Sequence, residues 1–183
     1  MADENTLILE TTKGNVTIQM RPDLAPNHVA RIKQLTRAGF YDGLVFHRVI
    51  EGFMAQTGDP RGNGTGGSTL PDIKAEFNDL PHLRGSVSMA RADSPDSANS
   101  QFFIVFSPVM RLDGKYTVFG RLLGGMAFVD AVPRGEPPAA PATIVKAWIE
   151  ADGPDAPRVP LPAPATDAAP QPEPMLTDSA PKL

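Results

Sequence analysis

Over the first 150 residues, short runs of alternating apolar and polar positions are punctuated by turn-forming residues. Residues 6–12 and 15–20 are rich in β-branched and aliphatic side chains, and the intervening Lys13-Gly14 is a hairpin signal. The period changes over residues 26–37. There Val29, Ile32 and Leu35 or Thr36 recur at helical spacing, with Pro26 near the first turn and Gly39 just past the end. Strand-like runs return at 44–50, 53–57, 86–90, 101–106 and 117–122, each bounded by Gly, Pro, Asp or Asn. A short helix fits 126–132, and 142–149 ends the series with Trp148, the single tryptophan. About eight strands against two helices predicts a mainly β fold. A closed eight-stranded antiparallel β-barrel capped by two α-helices is the economical arrangement, because closure removes exposed edges. An open two-layer sandwich fits the same pattern.

Composition changes this picture at the C-terminus. Nine of the twenty prolines and seven alanines fall in residues 151–183. Proline lacks an amide donor and restricts its predecessor, so this stretch neither joins a sheet nor continues a helix. It has no aromatic residue with which to bury surface, and reads as a disordered Pro/Ala-rich tail behind a folded domain at 5–150. A recognition peptide for a proline-reading partner is the functional alternative.

Charge and cysteine usage narrow the classes. The net charge of −4 argues against nucleic acid as the main partner. With no cysteine there are no disulfides, cysteine–zinc sites or thiol nucleophiles. Apolar runs fall short of the ~18 residues that span a bilayer. The first ten residues, MADENTLILE, carry acids where a secretory leader has bases. The expectation is a soluble, cytoplasmic, monomeric protein without metal, cofactor or membrane partner.

Three sequence features invite chemistry. Residues 62–67 (GNGTGG) match the G-x-G-x-x-G dinucleotide fingerprint, but Pro71 ends any helix that could receive a pyrophosphate, so the match reads as a flexible loop. His28, His47 and His82 form no close metal-ligand pair, and no Gly-x-Ser-x-Gly elbow supports a triad of His47 with Ser86 or Ser88. The third feature, residues 46–56 (FHRVIEGFMAQ), brings a cation, large apolar groups and an amide together. In a strand, Phe46, Arg48 and Ile50 point one way and His47 and Val49 the other. After Gly52, Met54 and Gln56 share a face and Phe53 takes the opposite one. Gln101 and Phe103 share a face further on. Taken alone, these residues also fit an ordinary core with Arg48 as a solvated strand residue.

FHRVIEGFMAQTGD, NGTGG, the SMA–SQFFI pair and LDGKYTVFGRLLGGM occur in the order and near the spacing of the cyclophilin-type peptidyl-prolyl cis-trans isomerases, which the chain resembles over about residues 5–150. The resemblance implies an eight-stranded antiparallel barrel capped by two helices, and rotation about X–Pro bonds as the activity. It assigns Arg48 as the catalytic arginine and Phe53, Met54, Phe103 and Leu112 as the proline pocket. Gln56, counted with Arg48 in the catalytic pair, and Gln101 then bond the substrate backbone. Main chain at Ala90 and Arg91 pairs with the peptide, and His47 and Tyr116 flank the groove. Three positions depart from the best-known eukaryotic pattern. Arg91 stands where Asn is usual, Tyr116 replaces a His, and Arg111 replaces the Trp that helps bind cyclosporin, so weak cyclosporin binding is implied. The partners implied are proline-containing peptides and unfolded or partly folded proteins. A proline-peptide-binding chaperone or adaptor with little turnover is the rival function, and a small-ligand carrier in a closed barrel the other.

Overall fold

The computed structural model describes residues 3–163. Its elements are β1 (Thr6–Thr11), β2 (Gly14–Met20), α1 (Pro26–Arg37), β3 (Arg48–Ile50), β4 (Met54–Thr57), β5 (Ser86–Met89), β6 (Phe102–Val105), β7 (Val118–Gly124), α2 (Met126–Asp130) and β8 (Ile144–Ile149). A single 3-10 turn, Met110–Leu112, lies between β6 and β7. The strands form one antiparallel sheet in the order β3-β4-β6-β5-β7-β2-β1-β8.

Period-two patterning builds the core. Leu7 and Leu9 of β1, Val16, Ile18 and Met20 of β2, and Phe102 and Ile104 of β6 all face one apolar interior. The helix read from the spacing of Val29, Ile32 and Leu35 has the expected bounds and lays those three side chains on that interior. Helix α2 is shorter than expected and contributes Val129.

The expected closed barrel is not completed by a strand ladder. β3 and β8 are the two ends of the sheet order, and the chain just before each makes the contact between them. Gly43 N–H donates to Ile144 O (2.7 Å), Ile144 N–H to Leu44 O (2.8 Å) and Phe46 N–H to Ala142 O (2.9 Å) around one bridge, Val45↔Thr143. The protein is therefore a curled eight-stranded half-barrel stitched at one point.

Two expectations are corrected. The run 44–50 yields only a three-residue strand, and Phe46 joins Val49 in the main core instead of sharing a face with Arg48. Residues 44–47 turn to meet β8, so alternation begins only at Arg48. The second correction concerns the boundary at 150, because residues 151–163 pack onto the body. Val159 N–H donates to Arg37 O (2.9 Å), Leu161 packs against the main core, and Arg158 Nη1 reaches Thr36 O and Ala147 O (both 3.1 Å). Arg158 also pairs with Asp42. Proline excludes ladder and helix but not anchoring by side chains. The remainder of the expected tail, 164–183, lies outside the described residues.

Candidate functional site

The sheet register places the candidate residues in rows. Arg48 pairs with Gln56, Gln56 with Phe103, and Phe103 with Ser88, across β3, β4, β6 and β5. Cross-strand partners share a face. The next row on that face is Ile50, Met54 and Val105. Between them runs Val49, Ala55, Ile104 and Val87, and all four belong to the main core on the other side. One strand segment thus serves two apolar interiors.

The second interior is small and self-contained. Phe53, Met54, Ala90, Phe103, Val105, Leu112 and Tyr116 form it, with Ile50 and Val109 at its margin. The four predicted pocket residues, Phe53, Met54, Phe103 and Leu112, are all in it. Phe53 belongs there although alternation assigned it the opposite face, because residues 51–53 form a turn and strand parity does not apply. Tyr116 packs edge-on against Phe103, centroids 6.1 Å apart.

The two glutamines meet. Gln56 Nε2 donates to Gln101 Oε1 (2.8 Å), and Gln101 Nε2 donates to Gly66 O (2.8 Å) and Gly64 O (3.1 Å). Those carbonyls belong to the loop that mimics a dinucleotide fingerprint. The anion its amides bind is the protein's own Asp59, which is buried. The carboxylate accepts from Arg61 N–H (2.7 Å), Asn63 N–H (3.0 Å) and Gly64 N–H (2.5 Å). Gly66 is obligatory here, since a Cβ would lie 2.1 Å from Asp59 Oδ1. What read as a flexible loop is wrapped around a buried charge.

Arg48 is mostly covered, with 19% of its side chain exposed, and its Nε donates to Glu136 Oε1 (2.7 Å). Its Nη1 is buried and has no hydrogen-bond partner, and the same holds for Gln56 Oε1. His47, expected beside the groove, is buried, and burial holds its pKa below the ordinary imidazole value, leaving it neutral at pH 7. Ala90 N–H is taken by Gln101 O (3.0 Å). Arg91 spends its donors on the carbonyls of Lys115, Ala92 and Asp93, and its guanidinium carbon sits 4.5 Å from the Tyr116 ring centre. Arg111 lies over Phe53 at 5.2 Å.

Residues without a role in the sequence reading support this face. His82 stacks on Phe103 and places Nε2 3.0 Å from Ser88 Oγ and Nδ1 2.8 Å from Asp113 Oδ1. The order Ser–His–Asp imitates a hydrolytic triad, but Ser88 and His82 are both 0% exposed. They form a buried polar brace beneath Phe103, and Ser88 pairs with His82, not with His47. Burial lowers the His82 pKa despite the neighbouring carboxylate of Asp113.

The molecule is thus a curled antiparallel sheet with two helices that carries a separate apolar cluster beside an arginine and two linked glutamines. Residues 6–149 match the family model of the cyclophilin type peptidyl-prolyl cis-trans isomerase/CLD. A probable peptidyl-prolyl cis-trans isomerase of Brucella suis biovar 1 is 51% identical over 165 residues, covering 81% of this chain and 84% of that one. Peptidyl-prolyl cis-trans isomerase B of Bacillus subtilis is 44% identical over 126 residues, covering 67% and 87%. Among solved structures, a cyclophilin from Hirschia baltica superposes with a TM-score of 0.76 at 33% identity, covering 82% of this chain and 76% of that one. A Cryptosporidium parvum cyclophilin type isomerase, crystallised in the presence of the dipeptide Ala-Pro, gives 0.74 at 28% identity, covering 79% and 98%. The chain belongs to the cyclophilin-type peptidyl-prolyl cis-trans isomerase family.

Proposed function

We propose that Arg48 is the catalytic group of this isomerase and that the second apolar cluster receives the substrate's proline ring. The observation that carries this reading is the row Arg48–Gln56–Phe103, which sets a guanidinium and an amide along the cluster on one face of the sheet. Rotation about an X–Pro amide is slow because resonance raises a barrier near ~20 kcal/mol. No bond to the substrate forms, so no nucleophile is needed. A quarter turn removes the nitrogen's delocalisation and leaves it pyramidal and more basic. A fixed donor aimed there binds the twisted state better than either planar one. Arginine suits the task because it stays protonated and its fork can also reach a carbonyl. The apolar wall excludes water, which strengthens that interaction. Gln56 and Gln101, tied to each other and to the loop, hold the flanking chain so that one bond turns.

The substrates on this reading are proline-containing peptides and unfolded or partly folded proteins in the cytoplasm, handled by a monomer. The bridge Val45↔Thr143 supports treating the curled sheet as a closed barrel that keeps the site rigid. The test is a protease-coupled cis/trans assay on an X–Pro tetrapeptide. Arg48→Ala should fold as wild type and lose roughly 10²–10³ in kcat/KM, the effect of deleting one preorganised donor. A folded Arg48→Ala of near-full activity ends the mechanism. A folded wild type without acceleration leaves the adaptor function instead.

A further inference from the structure

Arg48 has a partner that neither strand pattern nor resemblance singles out. Gly135 docks on the free edge of β3 through two reciprocal hydrogen bonds, Val49 N–H to Gly135 O (2.8 Å) and Gly135 N–H to Val49 O (2.9 Å). Antiparallel pairing of 49 with 135 sets 48 opposite 136, so the Glu136 side chain arrives beside Arg48. The docked residue has φ of +144°, and a Cβ there would lie 2.6 Å from Pro138 Cα, so the approach depends on glycine. From this anchored position Glu136 accepts from Arg48 Nε at 2.7 Å. The bond uses the inner nitrogen of the fork and leaves the terminal ones. Of these, Nη1 is buried without a partner, and across the strand pair Gln56 Oε1 is a buried acceptor without a donor. A peptide group supplies both complements, a carbonyl and an N–H.

We infer that Glu136 is a positioning residue that holds the Arg48 guanidinium by its Nε and so presents the Nη edge to the turning amide. This rests on the reading of Arg48 as the catalytic group. An arginine side chain has several freely rotating bonds, and a donor must stand in place before the substrate turns. A carboxylate bridged to the neighbouring residue of the same strand meets that need without touching the substrate. With Glu136 more than half exposed, the pair contributes little to stability.

The experiment measures kcat, KM and Tm for wild type, Glu136→Ala, Glu136→Gln, Arg48→Ala and the Glu136→Ala/Arg48→Ala double variant. Glu136→Ala should lower kcat about tenfold, the loss of one oriented contact, with KM changed less than about twofold. Glu136→Gln keeps an oxygen for Nε and should recover to within about threefold of wild type. The double variant should be no slower than Arg48→Ala alone. Wild-type kcat in Glu136→Ala beside an inactive Arg48→Ala overturns the inference and spares the role of Arg48. A further tenfold loss in the double variant also overturns it, because the effect then bypasses Arg48. Near-full activity of Arg48→Ala instead removes the reading on which the inference stands.

Discussion

Removing the Asp59 carboxylate tests whether the glycine-rich loop is a structural part of the site. In Asp59→Ala, three backbone N–H groups lose an ionised acceptor. Arg61 and Asn63 are exposed, so water can replace their bonds and each should cost about 0.5–1 kcal/mol. Gly64 is partly covered and its bond is the shortest, so its loss belongs with charge-assisted bonds at roughly 1.5–3 kcal/mol. The total, about 2.5–5 kcal/mol, corresponds to a Tm lowered by roughly 8–15 °C for a domain of this size. The damage should spread, because Gly64 and Gly66 present the carbonyls that hold Gln101, and Gln101 holds Gln56. We therefore expect kcat/KM to fall about tenfold at a temperature where the variant is still folded, with Asp59→Asn intermediate in both respects. Circular-dichroism melts at pH 7 and the protease-coupled assay measure the two quantities. A Tm within 2 °C of wild type would show that the loop does not depend on its internal anion, and the reasoning would fail.

Two other predictions concern pH and ligand choice. His28, His47 and His82 are each held below their usual value of 6.5, with burial the leading cause. The unfolded chain therefore binds more protons than the folded one below about pH 6.5, and stability is complete above that point and falls as pH drops. Each histidine contributes up to about 1.4 kcal/mol per pH unit. Urea midpoints should decline from pH 7 to pH 5, and a flat profile refutes the assignment. Arg111, which caps Phe53 where the family resemblance implies a tryptophan, should make cyclosporin a weak inhibitor. Arg111→Trp should tighten inhibition about tenfold, and an unchanged titration counts against that role for the position.

Local signals made much of the scaffold legible. Pro26, the apolar spacing through Leu35 and Gly39 just past the end fixed α1, and alternation in β1 and β2 fixed a hairpin whose partners are adjacent in sequence. Met54, Gln56 and Phe103 lie in the rows that alternation assigned them because strand parity carries across a register, and Gln101, just ahead of β6, meets Gln56 through its amide. Where the chain is governed by distant partners, the pattern misleads. Phe46 turns inward because residues 43–46 bond to 142–144, roughly a hundred positions away. His82 had no role in the sequence pattern beyond the absence of a metal-ligand pair, yet it is fully buried and stacks on Phe103. Asp59 and Glu136 had no signal, since an acid beside glycine or proline resembles any turn. Residues 151–163 differ for a related reason: their composition shows what they cannot form, whereas their attachment through Arg158, Val159 and Leu161 depends on distant partners.

That attachment bears on self-association. β8 is a terminal strand, and Ala147 has its main-chain groups on the outer side, where a foreign strand could add. Both are already taken, the N–H by Asp42 Oδ1 (2.9 Å) and the C=O by Arg158 Nη1 (3.1 Å), and the two capping side chains grip each other. Two charged side chains thus sit in the place of an intruding backbone. A strand seeking this edge would have to break an ion pair as well as dehydrate it, so the edge resists strand addition. Residues 151–163, which carry Arg158 and whose prolines cannot donate to a ladder, are suited to guard it.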